Sequence, residues 1–140
     1  MRYLLDADSI IDYFAHQPGA LAQFPQVLAA GAGVSGTTTI ELFTGAYGAR
    51  DPQTSERQLR QFLRTVRILP LNRAVIVQTA RLRRQLLDIK APIAHRAYDL
   101  ITAATALVYD LTLVTSNTKD FADIPGLTLL NPRTGAALTT

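Results

Sequence analysis

The amino-acid sequence predicts an α/β fold in which helices cover both faces of a mostly parallel sheet. Short apolar runs that are typical of buried strands alternate with longer segments whose apolar residues recur at helical spacing. The chain has 140 residues, of which 48% are hydrophobic, and this suffices for one domain with a complete core. We therefore predict a single domain over residues 1–133, followed by a short C-terminal tail over residues 134–140.

Five short strands are predicted from apolar runs, most of which end at a polar residue or at proline. They cover residues 3–5, 34–35, 68–70, 111–115 and 127–130. The terminal segment from Gly135 to Thr140 is expected to be loose. Ligands of parallel α/β sheets bind beyond the carboxyl ends of the strands, so the residues that follow each strand are the first candidates for a site.

Six helices are predicted between these strands from apolar residues at helical spacing. They cover residues 9–14, 19–30, 38–47, 53–66, 73–90 and 95–109. Asp8 or Ser9 is suited to cap the first helix, because a short polar side chain accepts hydrogen bonds from free backbone amides. Gly31 and Gly48 are expected to end the second and third helices.

The composition excludes several kinds of functional site. There is no cysteine, which excludes disulfide bonds, zinc–thiolate centres and cysteine nucleophiles. The two histidines, His16 and His95, argue against a histidine-based zinc site because no third one accompanies them. Asp6 and Asp8 interrupt the apolar start, so it is not a signal peptide, and the uncharged residues 13–40 contain prolines, glycines and glutamines that are atypical of a membrane span. We expect a cytoplasmic protein that does not enter a membrane.

Basic residues outnumber acidic ones by 14 to 11, which gives a formal net charge of +3. Four arginines recur at helical spacing and five further basic residues follow them, namely Arg57, Arg60, Arg64, Arg67, Arg81, Arg83, Arg84, Lys90 and Arg96. Three interpretations remain open for these residues: a solvated helix face, a rim that contacts RNA phosphates, or a docking surface for an acidic protein segment.

Four acidic residues lie in apolar surroundings, where an unpaired carboxylate is costly to bury. They are Asp6, Glu41, Asp99 and Asp120. Asp6 follows the first predicted strand, and Glu41 lies in the first turns of the helix that follows the second strand. Asp99 lies near the start of the helix that precedes the fourth strand, and Asp120 lies in the loop that follows this strand. The predicted fold brings all four to one edge of the sheet. Two unit negative charges about 5 Å apart repel by roughly 3 kcal/mol at an effective dielectric near 20, so the cluster needs a cation or raised pKa values.

A hard divalent cation meets this need. Oxygen ligands without histidine or cysteine favour Mg²⁺ or Mn²⁺ over zinc, and Mg²⁺ binds through one or two carboxylates together with a substrate phosphate. Such an ion activates a water molecule and stabilises the charge that develops on a phosphodiester. Lys119, next to Asp120, is the basic residue best placed to contact a substrate phosphate. The acids thus predict phosphodiester hydrolysis at a metal site.

Structural roles for the same acids also remain open. Thr38 and Glu41 match a capping box, in which the glutamate only stabilises a helix start. Asp99 near a helix start complements the helix dipole, and Asp120 is suited to cap a turn. Asp6 is the exception, because we expect no structural role that would offset the free-energy cost of an acid at the end of a buried strand.

Four segments, in this order and spacing, resemble the PIN-domain family and, within it, VapC-type toxins. They are YLLDADSI at 3–10, VSGTTTIELFTGA at 34–46, RAYDLITAATAL at 96–107 and LTLVTSNTKDF at 111–121. The resemblance implies a three-layer α/β/α sandwich with a central, mostly parallel, short-stranded sheet. It also implies cleavage of RNA with Mg²⁺ or Mn²⁺, a homodimer, and inhibition by a cognate VapB-type antitoxin.

By the same resemblance, the four acids form the catalytic site, with Asp6 and Asp99 as the metal ligands. Glu41 would position the attacking water or act as the base, and Asp120 would complete the cluster. The acidic set and the two metal ligands are carried over from the family pattern onto the matching positions of this chain, whereas the roles of Glu41 and Asp120 are our own expectation.

The resemblance also marks Thr115 and Asn117 as residues that line the substrate site, beside Lys119. Two positions depart from the family pattern. Relatives commonly have Asp-Thr-Asn where this chain has an aspartate, an alanine and Asp8, which adds a negative charge that could join the coordination. Asn117 is neutral where many relatives carry an acid, which weakens the case for a second metal ion.

Three alternatives remain. Residues 3–10 also fit the Asp-x-Asp start of haloacid-dehalogenase-like phosphatases, but only Lys119 follows downstream, without the acidic pair those enzymes need. A phosphate-receiver domain requires an acceptor aspartate after the third strand, and residues 70–72 contain none. The last alternative is a PIN-like domain that binds RNA or protein without activity, against which the retention of all four acids argues.

Overall fold

A computed structural model describes residues 1–140 and confirms the predicted α/β/α sandwich. The six strands are β1 (Tyr3–Leu5), β2 (Ala32–Ser35), β3 (Arg67–Leu69), β4 (Thr112–Val114), β5 (Thr128–Leu130) and β6 (Ala137–Thr139). They form one sheet in the order β3-β2-β1-β4-β5-β6. Strands β1 to β5 are parallel, and only β6 runs antiparallel, against β5. The carboxyl ends of five strands therefore meet at one edge.

All six predicted helices are present, with ends that differ from the prediction by a few residues. They are α1 (Ala7–Phe14), α2 (Pro18–Ala29), α3 (Gly36–Tyr47), α4 (Pro52–Leu63), α5 (Arg73–Asp88) and α6 (Ala97–Tyr109). A short 3₁₀ helix over Thr118–Phe121 follows β4 and was not predicted. None of the helices combines the length and the apolar character that crossing a bilayer requires.

Alternate residues of the central strands point to opposite faces of the sheet and build two hydrophobic cores. Leu4 and Leu113 are fully buried on the face covered by α5 and α6. Leu5 and Val114 are fully buried on the other face, against α1 to α4. Burial of each such side chain stabilises the fold by about 1.5–3 kcal/mol, so β1 is held from both sides. This fixes the direction in which the next residue, Asp6, leaves the strand.

The prediction of a loose C-terminal segment is wrong. Residues 137–139 pair with β5, where Leu138 lies opposite Leu129. A turn at Gly135, whose φ is +74°, reverses the chain, and its N–H donates to the Asn131 carbonyl (2.8 Å). The backbone groups on the outer side of β5 need hydrogen-bond partners, and the terminal segment supplies them.

Candidate active site

Asp6 leaves the carboxyl end of β1 and caps α1 at the same time. Its Oδ1 accepts a hydrogen bond from the Ala7 N–H (3.0 Å), and its Oδ2 accepts one from the Thr115 hydroxyl (3.2 Å). The prediction that Asp8 or Ser9 caps this helix is wrong, because the helix begins at Ala7, directly after Asp6. Asp6, which is 8% exposed, therefore has a structural role that the sequence analysis did not foresee.

Asp8 anchors the loop that leaves β4. Its Oδ2 accepts hydrogen bonds from the Ser116 N–H (2.9 Å), the Ser116 hydroxyl (2.6 Å) and the Asn117 N–H (3.2 Å). Its Oδ1 also accepts a bond from the Ser9 N–H (2.8 Å). These bonds occupy both carboxylate oxygens, and they tie the start of α1 to the carboxyl end of β4.

Glu41 does not cap a helix. Helix α3 begins at Gly36, and its N-cap is Ser35, whose hydroxyl accepts a hydrogen bond from the Thr38 N–H (3.2 Å). Glu41 therefore lies beyond the first turn, and the capping box predicted from Thr38 and Glu41 does not form. The Ser35 hydroxyl is also 3.2 Å from the hydroxyl of Thr102, which ties the start of α3 to α6. Glu41 as a whole residue is exposed, whereas its carboxylate is partly screened from water.

Asp99 and Asp120 lie on two elements that flank β4. Asp99 is half-buried in the first turn of α6, and Asp120 is exposed in the 3₁₀ helix after β4. Both line a polar hollow of about 380 Å³ that contains no hydrophobic side chain. The hollow is also lined by Lys119, Arg96 and Asp123, together with Pro92 and His95.

The pKa values of the acids show that they interact. Burial, and then the charges of Asp8 and Asp99, raise the pKa of Asp6 to about 7. Burial, followed by the charges of Asp99 and Asp8, raises the pKa of Glu41. Burial, and then the charge of Asp120, raise the pKa of Asp99. The structure thus brings the four predicted acids and Asp8 into one cluster of like charges, which a bound cation would relieve.

The donor set of this cluster suits a hard divalent cation. It offers mainly oxygen donors, namely carboxylates and the Thr115 hydroxyl, and no thiolate; the imidazole of His95 also lines the hollow. No three carboxylate or imidazole groups of the chain are arranged as a ready-made metal-binding shell. Mg²⁺ needs no such shell, because it keeps several water ligands and binds through one or two carboxylates. The donor types present therefore suit such an ion.

The three predicted substrate residues lie at different depths. Thr115 is fully buried, and its hydroxyl lies 3.2 Å from the nearest carboxylate oxygens of both Asp6 and Asp8. Asn117 and Lys119 are exposed on the loop and the 3₁₀ helix that follow β4. Burial therefore suits Thr115 to orienting the carboxylates, whereas the other two are accessible to a large ligand.

Arg96 differs from the surface arginines with which the sequence analysis grouped it. Its side chain is only 15% exposed, and its guanidinium pairs with Asp123 at 2.6 Å. By contrast, Arg57 and Arg64 are exposed on and just after α4, as a solvated helix face requires. The pairing of Arg96 with Asp123 was missed because the two residues lie 27 positions apart and no local pattern links them.

The fold and the site together define a three-layer α/β/α domain with an acidic cluster at the carboxyl edge of its parallel sheet. Residues 3–127 match the PIN domain family. The chain therefore belongs to the PIN-domain family, as the four matching segments of the sequence implied, and the phosphatase and receiver alternatives lose their support.

Relatives of known name match almost the whole chain. The tRNA(fMet)-specific endonuclease VapC of Salmonella typhimurium is 23% identical over 127 residues, which cover 91% of this chain and 95% of that protein. A chain in the crystal structure of VapBC2 from Rickettsia felis, bound to a promoter DNA fragment, superimposes with a TM-score of 0.84 at 24% identity. VapBC-1 of nontypeable Haemophilus influenzae gives a TM-score of 0.81 at 27% identity. Each of the two solved structures covers 94% of this chain and is itself covered to 98%.

Proposed function

We propose that this chain is a divalent-metal-dependent ribonuclease and the toxic component of a VapBC-type toxin–antitoxin module. The proposal rests on the convergence of four acids, in a member of the PIN-domain family, at the edge where parallel sheets bind their ligands. The similarity to an endonuclease VapC supports RNA as the substrate. We expect the protein to act in the cytoplasm, where its RNA substrate is found.

Asp6 and Asp99 are the proposed ligands of Mg²⁺, for which Mn²⁺ is a substitute. When bound, the ion supplies a Lewis acid that activates water and stabilises the charge that develops on the phosphodiester. The Ala7 N–H and the Thr115 hydroxyl fix the orientation of the Asp6 carboxylate before any ligand arrives. Such outer hydrogen bonds orient metal ligands and support their affinity.

Glu41 is the proposed base that accepts the proton of the attacking water. Burial and the charge of Asp99 raise the pKa of Glu41, which brings its basicity closer to neutral pH. Glu41 is an exposed residue, so water can reach its partly buried carboxylate. Asp120 adds negative charge beside Asp99 and completes the acidic cluster.

Two exposed side chains are proposed to bind the RNA. Lys119 lines the polar hollow with Asp99 and Asp120, which supports a contact between its ammonium group and the phosphate next to the scissile bond. The Asn117 side chain is exposed on the loop that Asp8 holds in place. Contacts of this kind position the backbone of a nucleic acid but do not read its sequence.

An apolar groove beside Glu41 is suited to bind the antitoxin. It lies between α1, α3 and α4, has a volume of about 310 Å³, and is lined by Ile11, Phe14, Leu42 and Leu59. Ile11 (56% exposed) and Phe14 (38% exposed) lie next to each other in this groove, and a contiguous apolar patch of this kind is typical of a surface that binds a partner. A segment bound there would cover Glu41 and exclude RNA.

We also expect the chain to form a homodimer, which sedimentation analysis tests.

The test is cleavage of purified RNA by the parent protein and by Asp6→Asn and Asp99→Asn variants, with Mg²⁺, Mn²⁺ or EDTA. Each variant keeps the shape of the side chain but removes the charge, and we expect more than about a 100-fold loss of rate, since even outer partners of a metal ligand contribute 10–100-fold. Asp110→Asn is the matched control. Asp110 is exposed at the opposite end of α6, in a left-handed conformation that asparagine also adopts.

Equal cleavage by Asp99→Asn and the parent protein would rule out the metal assignment. RNA binding without cleavage by the parent protein, under every metal condition, would instead support the inactive PIN-like alternative. In cells, expression of the parent chain should arrest growth, and the Asp6→Asn variant should not.

A further inference from the structure

Arg96 occupies the N-cap position of α6 but does not cap the helix. No side chain accepts a hydrogen bond from the first free amides of this helix. Most of the other helices have such a cap, because the free N–H groups of a first turn need partners. The position that would ordinarily hold a capping serine or aspartate is therefore given to a long basic side chain with a different task.

The guanidinium of Arg96 joins three segments of the chain. Its Nη1 and Nη2 donate to the two carboxylate oxygens of Asp123 at 2.8 and 2.6 Å, in the two-pronged geometry that is the strongest for this pair. Nη1 also donates to the Pro92 carbonyl (3.0 Å), and Nη2 donates to the backbone carbonyl of Asp120 (3.1 Å). The arginine thus holds the backbone of Asp120 from a position three residues before Asp99.

The same guanidinium lies near two carboxylates but bonds to neither. The charges of Asp99 and Asp120 both act on Arg96, yet its hydrogen bonds go to Asp123 and to backbone carbonyls. An arginine at this position that had no fixed hydrogen-bond partner would pair with Asp99 or Asp120 and compete with a cation. Asp123 prevents such pairing, because its carboxylate accepts hydrogen bonds from both terminal nitrogens of the guanidinium.

We propose that Arg96 and Asp123 are positioning residues, which fix Asp120 beside Asp99 and leave the Asp99 carboxylate free to bind a divalent cation. This proposal rests on the proposed function, because it concerns the metal site of that reaction. Neither residue is a metal ligand or a catalytic residue here.

The experiment separates this role from a simple charge effect. A positive charge next to the acids weakens cation binding, so a purely electrostatic Arg96 predicts that Arg96→Gln tightens binding and that Arg96→Lys changes nothing. A positioning Arg96 predicts weaker binding in both variants, since lysine keeps the charge but cannot make the two-pronged contact. Asp123→Asn is the third variant. Because Asp123 is more exposed than Arg96, this variant tests the same contact with less risk of misfolding.

Binding of Mn²⁺ alone is measured by calorimetry on the full chain, without RNA. The controls are Arg84→Lys and Arg84→Gln, which alter an exposed arginine–aspartate pair on α5 and make the same changes of side chain and charge. We expect about tenfold weaker Mn²⁺ binding in Arg96→Lys, Arg96→Gln and Asp123→Asn, the lower end of the range for outer partners of metal ligands. In the metal-free protein, backbone amides of residues 118–124 should exchange hydrogen faster in these three variants than in the controls.

Mn²⁺ binding by Arg96→Lys within about fivefold of the parent protein, tighter binding by Arg96→Gln than by Arg84→Gln, or unchanged exchange over residues 118–124 would each overturn the positioning role. The proposed function would not be affected by these results, because the RNA-cleavage assay on Asp6→Asn tests it separately. Failure of the parent protein itself to bind a divalent cation would overturn both proposals together.

Discussion

The carboxylates that pair with an arginine and those of the acidic cluster have opposite surroundings. Four acids each pair with an arginine at 2.6–2.9 Å, namely Asp12, Glu56, Asp88 and Asp123. Hydrogen bonds from Arg60 and Arg96 lower the pKa of Glu56 and Asp123, respectively. At the carboxyl edge the pKa values of three acids are raised, namely those of Asp6, Glu41 and Asp99, and none of them forms a salt bridge.

This difference shows where the protein neutralises its own charge and where it does not. The chain has 14 basic residues, more than enough to pair every acid. Burial is the largest cause of the raised pKa values of Asp6, Glu41 and Asp99, because it disfavours the charged form of a carboxyl group. Uncompensated negative charge is therefore concentrated in this region, where it is available to a ligand from outside.

The largest expected effect is on the rate of cleavage when Glu41 loses its charge. Glu41→Gln should lower kcat by about 100-fold or more, with little change in KM, because loss of a general base typically costs 10²–10⁴-fold. Glu56→Gln changes an arginine-paired surface glutamate in the same way and should leave kcat unchanged. Steady-state kinetics on a short RNA measures both. A Glu41→Gln rate within tenfold of the parent would remove the base from the proposed mechanism.

A smaller effect concerns stability and pH in the absence of metal. The pKa of Asp6 is about 7 in the folded chain, against an ordinary value of 3.8, so the folded state binds more protons than the unfolded state between these values. Stability should therefore fall as the pH rises from about 4 to about 7, and the loss is complete above pH 7. Thermal unfolding in EDTA at pH 5 and pH 8 measures this fall, and saturating Mg²⁺ should recover stability at pH 8.

Asp6→Asn is the control for this pH dependence. Asparagine caps a helix as well as aspartate does, so α1 keeps its cap while the titrating group is lost. The variant should be more stable than the parent in EDTA at pH 8, and its unfolding temperature should depend less on pH. An identical pH dependence in both proteins would contradict the assignment of this effect to Asp6.

The smallest expected effect follows from Asp8, whose carboxylate is bound by hydrogen-bond donors and not by a cation. Asp8→Asn should keep cleavage within about tenfold of the parent, because the amide oxygen still accepts hydrogen bonds from Ser116. Asp8→Ala, which removes the acceptor and frees the loop after β4, should lose more. Loss of cleavage in Asp8→Asn as large as in Asp6→Asn would place Asp8 among the metal ligands.

The parts of the structure that depend on local patterns were predictable from the sequence. Apolar runs and helical spacing located five strands and six helices, because each element buries its own face. Strand β6 was missed because its residues are exposed and are ordered only by pairing with β5. The 3₁₀ helix at residues 118–121 was missed because four residues are too few to show a period.

The candidate site was predictable in outline, and its hydrogen bonds were not. The convergence of Asp6 with Asp99 follows from the rule that parallel strands and the helices between them present their ends at one edge. The partners of Asp8 and Arg96 could not be foreseen, because the bonded groups lie 108 and 27 residues away in the chain. The capping role of Asp6 was missed for a local reason, since the helix starts two residues earlier than predicted.

The four acids are spread along almost the entire chain, from position 6 to position 120, and β1 lies between β2 and β4. During translation, the first strand emerges from the ribosome long before the fourth strand exists to pair with it. A nascent chain therefore lacks the complete cluster until nearly all of it has been synthesised. The proposed ribonuclease activity is therefore absent from a partly synthesised chain and begins only after β4 has paired with β1.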